Sequence, residues 1–309
     1  MPTTLGELHK HVREISLDHH DSIVSADDVH FANLEQVIIN GQLHPILPHA
    51  QRLISNRLGV PHQYLQRCPP SLQAKNLNHW ITEQKEDREF LVRFDGDHVR
   101  AVFTPRYKKL DNIEVLDRLN ELGFAPETEV HVQFDSNFMS LSIPDEGRTF
   151  SIQPGDRVTP GISIANSEVG LSSLKIEAYC LRLVCTNGLI SKMQTASSFR
   201  HISKKILEEL PLVLRTVSEG GTMVADHLRF SLSSRVDNPD STFNSFNRQF
   251  QLEPAEIEAV AWGWQAEPVN TMFGIIQAYT KGAQHHRLDA HSQYRLQRAG
   301  GDILAMVRH

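Results

Sequence analysis

Hydrophobic and polar positions change period several times along the chain. Between positions 46 and 80, Ala50, Leu53, Ile54 and Leu58 keep the i, i+3, i+4 spacing of one helix face. Gly59 ends that helix and Pro61 opens the next. After Pro69-Pro70 the spacing returns in Leu77, Trp80 and Ile81. This is a helical layer that needs a sheet to cover. The preceding residues, 1–45, mix short helical patterns with acidic and His-rich runs such as DHHDSIVSADDVHF, and predict a peripheral arm or small lid.

The period becomes two at Glu89. FLVRFDGDHVRAVF alternates on both sides of Asp95-Gly96-Asp97, the strongest hairpin signal in the chain. A two-residue loop there places Phe90, Val92, Phe94, Val99, Ala101 and Phe103 on one face, with Arg93 and Arg100 together on the other. Two such arginines repel unless an anion lies between them or carboxylates sit nearby, and Asp95 or Asp97 could neutralise a solvated face. Asp111 caps a helix over NIEVLDRLNELG, with Gly123 as its stop. A second hairpin alternates through Val130, Val132 and Phe134, turns at Asp135-Ser136-Asn137, and returns through Met139, Leu141 and Ile143. Residues 144–160 read as an exposed loop.

From Gly161 to Gly188 the chain carries two strand-like runs, ISIAN and LKIEAYCLRLVC, closed by Asn187-Gly188, a pair suited to a tight turn. Along the second run the pattern passes from half-buried to nearly buried, so Arg182 requires a carboxylate or an anionic ligand. Beyond Gly188 a long helix is expected, basic in its first half and kinked at Pro211. After Gly220-Gly221 helices continue to the end, with a loop near 237–241 and a periodic segment over 269–283. The fold class is α+β: an antiparallel sheet of hairpins covered by helices, with a helical C-terminal region. The expected division is an arm over 1–45, a core over 46–220 and helices over 221–309.

Composition adds limits. A chain of 309 residues, 40% hydrophobic and 22% charged, can bury a core. No apolar run approaches the roughly 18 residues of a membrane span, and the N-terminal MPTTLGELHKHVREI lacks the order of a secretion signal, so a cytoplasmic protein without membrane partners is expected. Three cysteines at unrelated spacings give neither a disulfide framework nor a zinc pattern, and the adjacent pairs among the 17 histidines point apart, so no metal and no cofactor is expected.

The net charge of -6 does not exclude a local basic groove. Thr104-Pro105-Arg106-Tyr107-Lys108-Lys109 is the densest basic cluster, and its tyrosine could stack a base while the cations hold phosphates. Arg93, Arg100, Arg106, Tyr107, Lys108, Lys109 and Arg182 are therefore the candidate nucleic-acid lining. No nucleophile elbow, Walker loop, dinucleotide fingerprint or H-E-x-x-H occurs. An enzymatic alternative, a hydrolase or transferase, rests on a polar site of Asn166, Ser167, Glu168, Cys185 and Asn187.

At Asn166-Ser167-Glu168-Val169-Gly170 and Cys185-Thr186-Asn187-Gly188 the chain resembles the phage and plasmid-like proteins of the DUF932 family, and the similarity extends through RLGVPHQYLQRCP, VRAVFTPRYKKLDN and MFGIIQAYTKGAQH. That resemblance implies an origin on mobile elements. The order of helices, hairpin, helix and antiparallel strands also resembles the core of the Rad52 and Red-beta type single-strand annealing proteins, a likeness of fold alone. It implies binding of single-stranded nucleic acid, DNA ahead of RNA, annealing in recombination, and a homo-oligomeric ring or filament.

Overall fold

The computed structural model describes residues 2–83, 88–182, 187–191, 211 and 221–307. In chain order, β1 is Pro2–Thr4, α1 Leu5–Ser16, β2 His19–Ser25, β3 Val29–Phe31, β4 Gln36–Ile39 and β5 Gln42–Pro45. Helices α2 (Pro48–Arg57), α3 (His62–Arg67) and α4 (Pro70–Thr82) follow, then β6 (Glu89–Asp95), β7 (His98–Phe103) and α5 (Asn112–Glu121). Next come β8 (Glu129–Phe134), β9 (Met139–Pro144), β10 (Phe150–Gln153), β11 (Asp156–Asn166), β12 (Lys175–Arg182) and β13 (Asn187–Ser191). Helices α6 (Gly221–Ser233), α7 (Pro239–Gln249), α8 (Pro254–Ala266), α9 (Met272–Gly282) and α10 (Ala290–Met306) complete the described chain. The fold is α+β with antiparallel sheets and a helical C-terminal region.

The chain divides into two compact units. One comprises Met1–His9, Glu114–Ser167 and Leu171–His309, and the other Lys10–Ile113 with Glu168–Gly170. The first 45 residues supply β1, α1 and four strands. The boundary expected at Gly220 lies outside the described residues.

In the larger unit a seven-stranded sheet runs β1-β8-β9-β11-β12-β13, with β10 also on β11. One face is apolar, through Leu141, Ile143, Ile162, Ile164 and Ile176. The other carries Ser142, Ser163, Glu177 and Tyr179 and lies under α10, whose Tyr294 hydroxyl donates to Glu177 at 2.5 Å. Strand β12 is thus covered on both faces, where alternation alone predicts a half-buried strand. Asp135 shapes the β8–β9 turn by accepting from the Asn137 and Phe138 amides, and its second oxygen accepts from the Ala290 amide at the start of α10.

Two local expectations are corrected here. Residues 144–160 are not one exposed loop: Gly155, at φ +80°, turns β10 into β11, which begins at a buried Asp156. Asn187-Gly188 is not a turn leading into a helix, because both residues sit in β13, paired with Arg182 and Leu181. A buried β12 needs a hydrogen-bonding partner along its outer edge, and tertiary pairing overrides the helical pattern there. The rest of the expected long helix, with its Pro211 kink, falls almost wholly outside the described residues.

In the smaller unit, β2-β6-β7 and β3-β4-β5 form two three-stranded sheets, joined by a bridge between Ile46 and Val99. Their apolar faces pack with Ala50 and Ile54 of α2, Leu58 at its C-terminal end, and Leu77 and Ile81 of α4, the layer that the helical spacing predicted. The β6–β7 hairpin forms as expected, Gly96 taking φ +56° in its loop. Its register shifts beside Arg93, so Arg100 is an extra residue on β7. This bulge transfers Ala101 and Phe103 to the Arg93 side and sends Val102 to the core beside Val92.

Candidate functional site

The bulge brings Arg93 and Arg100 to the same carboxylate. Glu168 projects from the short segment after β11; its Oε2 accepts from Arg100 Nη2 at 2.6 Å, and its main-chain oxygen accepts from Arg93 Nη1 at 2.9 Å. Oε1 accepts from the Asn112 amide at 2.7 Å, in the first turn of α5. Arg93 also donates from Nε to Asp21 at 2.9 Å and from Nη2 to Asp111. Lys109 donates to the second Asp21 oxygen at 2.6 Å. Arg93, Arg100 and Glu168 are each under 5% exposed. Three cations and three carboxylates therefore neutralise one another inside the smaller unit.

The protonation states follow from this packing. Burial opposes the charge on Arg93, but Asp111 and Asp21 outweigh it and hold the guanidinium charged. Burial likewise pushes the Asp21 carboxyl up, and the hydrogen bonds from Lys109 and Arg93 bring it below its ordinary value. Burial, with the Arg100 charge beside it, lowers the His19 imidazole, so that a neutral ring nitrogen can accept from Arg100 Nη1 at 2.6 Å. His49, whose Nε2 lies 2.7 Å from the Val169 oxygen, is lowered by burial.

An imidazole that resists protonation only in the folded chain adds stability above its unfolded pKa of about 6.5, and loses it as pH falls toward the folded value. The unfolding free energy of the smaller unit, from urea denaturation, should therefore drop between pH 7 and pH 5, by at most about 1.4 kcal/mol per pH unit for each such histidine. His49→Gln, which can still donate to Val169, should flatten that dependence; an unchanged slope would remove His49 from it.

The expected nucleic-acid lining separates into two groups. Arg93 and Arg100 are buried in the network, and Arg182 is buried in the larger unit, where it donates to Asp156 at 2.9 Å and to Glu267 at 2.9 Å and lies over the Phe273 ring. These arginines answer carboxylates of the fold and do not line a surface groove. Arg106 and Lys108 are exposed, and Lys109 is exposed although paired. Tyr107 stacks on Phe103 at 3.8 Å, and burial pushes its hydroxyl up to about 12, so its ring braces the loop.

Of the residues of the enzymatic alternative, Asn166, Ser167 and Glu168 are buried. Asn166 is buried at the end of β11, and the Ser167 hydroxyl donates to the Asn137 oxygen and accepts from the Leu171 amide. Glu168 is held by Arg100 and Asn112. Cys185 and the side chain of Asn187 lie outside the described residues. Of the other thiols Cys180 is buried, which pushes it up to about 12. Among the described residues no group of three or more His, Cys, Asp or Glu is placed to hold a metal ion, and no helix is long and apolar enough to cross a membrane.

A further feature is compositional. Between Glu35 and Glu83 the sequence contains no Asp or Glu at all. Helices α2–α4 fall in this interval and expose Arg52, Arg67 and Lys75, none with an ion-pair partner among the described residues. On the same three helices Tyr64 and Trp80 are each 46% exposed, with the His79 ring against Trp80 at 5.0 Å. The signal that could have found it is the missing acid, which periodicity does not register.

Fold and site together define a class: an α+β protein with two buried ion-pair clusters and three helices in a stretch of sequence free of acidic residues. Residues 99–302 match the family described as Domain of unknown function (DUF932), and the chain belongs to that family. No curated protein and no solved structure matches it, so the likeness to Rad52 and Red-beta cores gains no support from solved structures.

Proposed function

We propose that the protein binds single-stranded nucleic acid through the exposed face of α2–α4, with Arg106 and Lys108 of the β7–α5 loop as further phosphate contacts. The carrying observation is the carboxylate-free interval 36–82, which exposes three cations and two half-exposed aromatic rings on one set of helices. Cations without competing carboxylates attract a phosphate backbone, and rings such as Tyr64 and Trp80 stack bases without reading sequence. Action in the cytoplasm on the DNA of a mobile element, annealing during recombination, and assembly into a ring or filament belong to the same reading. Sedimentation with and without oligonucleotide checks the assembly.

The binding test is fluorescence anisotropy with labelled oligo-dT and oligo-rU across a salt series. Arg52→Ala/Arg67→Ala/Lys75→Ala should reduce the magnitude of the log K against log salt slope by about 2, at about 0.7 per lost phosphate contact. Trp80→Ala should weaken binding by about 1–3 kcal/mol. Arg157→Ala, an exposed charge of the larger unit, should change neither. Absence of binding at low salt, or a triple variant that binds like the wild type, would sink the reading.

A further inference from the structure

We propose that two copies of the chain pair about a two-fold axis through the outward face of α8, in the larger unit. The helix is apolar on every side: among its exposed residues only Glu258 and Gln265 are polar, while Ile257 is 40% and Trp262 39% exposed. A helix with that pattern is ordinarily covered all round. Its inner face cannot be the one left over, because Gly263 is pressed on α9, where a Cβ would lie 2.3 Å from the Ala278 main-chain oxygen. That close approach fixes the rotation of α8 and leaves Ala255, Ile257, Ala261 and Trp262 facing outward.

The charges around this face identify a second copy as the occupant. Acid lies toward the N-terminal half, at the exposed Glu253 and Glu258. A cation lies toward the other half, where Lys281 Nζ is 5.5 Å from the centroid of the Trp262 ring and has no carboxylate in ion-pair range among the described residues. Two copies related by a two-fold axis pair α8 antiparallel, so each copy's Glu258 comes to the other's Lys281. A uniformly basic or acidic partner would meet a like charge at one end. The centre suits close contact, since Ala261 carries only a methyl group and interface cores favour aromatic residues over charged ones. Trp262 is already braced, with His285 edge-on at 5.2 Å, so little side-chain freedom is lost on pairing. The inference does not rest on nucleic-acid binding: a two-fold pair closes on itself, whereas a ring or filament needs a different, heterologous contact.

The test is sedimentation velocity of the full chain over a concentration series, without nucleic acid, where a reversible monomer–dimer equilibrium is expected. Trp262→Glu and Ala261→Arg should each raise the dimer dissociation constant about thirtyfold or more, the size of an interface hot spot. Lys281→Glu should weaken the dimer about tenfold, and adding Glu258→Lys to it should restore pairing, because the two charges exchange places across the axis. Arg52→Ala/Arg67→Ala/Lys75→Ala, which tests nucleic-acid binding, should leave the dimer unchanged. Circular dichroism checks that each variant folds; should Trp262→Glu fail to, Ala261→Arg and the charge exchange decide. The proposal is overturned if the wild type sediments as a monomer at about 100 μM. It is equally overturned if a dimer forms that neither Ala261→Arg nor Lys281→Glu weakens.

Discussion

Glu168→Ala is expected to destabilise the smaller unit by about 3–5 kcal/mol, the cost of removing one partner from a buried ion pair. Arg100, 4% exposed, has no other carboxylate in ion-pair range among the described residues, so its charge would stay buried and uncompensated. The Asn112 amide would lose its acceptor at the same time, loosening the start of α5. Glu168→Gln keeps an oxygen for that amide and should cost less, about 1.5–3 kcal/mol. Arg106→Ala, on the exposed loop, should stay within about 0.5 kcal/mol of wild type. Urea denaturation followed by circular dichroism measures all three. A Glu168→Ala midpoint equal to the wild type would show that the network does not hold the unit together.

Gly161→Ala should be comparably damaging in the larger unit, about 3 kcal/mol or more. A Cβ at this position would sit 2.2 Å from the Ile143 main-chain oxygen and 2.9 Å from the Pro144 Cα. Both are backbone atoms of β9, the strand paired with β11 at this point, so neither can rotate away. Relief requires prying apart the centre of the seven-stranded sheet. Gly147→Ala is the control, since its new Cβ would meet only the Asp145 carboxylate oxygen at 3.4 Å. Equal thermal stability of the two variants would contradict the close approach of β9 and β11.

Both residues were visible in the sequence, yet their roles were not. In the sequence Glu168 falls in a polar run because it follows Asn166 and Ser167. Its partners lie 56 and 68 residues away, at Asn112 and Arg100. The hairpin pattern leaves Arg93 and Arg100 needing either an anion between them or carboxylates nearby, and the choice depends on a segment from another part of the chain. The expected neutralisers, Asp95 and Asp97, were the nearest in sequence, and the structure uses Asp21, Asp111 and Glu168. The burial pattern of β12 likewise requires a carboxylate or an anionic ligand for Arg182, and Asp156 and Glu267 supply carboxylates.

What the sequence by itself determined is the set of elements whose signals repeat within a few residues. The α2–α4 layer follows from apolar spacing with Gly and Pro stops, the β6–β7 and β8–β9 hairpins from alternation around turn residues, and α5 from its spacing and Gly123. The membership of the family was also legible in spaced motifs. Only the tertiary structure decided the bulge at Arg100, the pairing of 187–191 as a strand, and the burial of three arginines that composition would place at a surface. Periodicity reports which face of an element is apolar, because that depends on neighbours one turn or one pleat away. Whether a charge meets solvent or a carboxylate depends on chain segments tens of residues distant, and only folding brings those together.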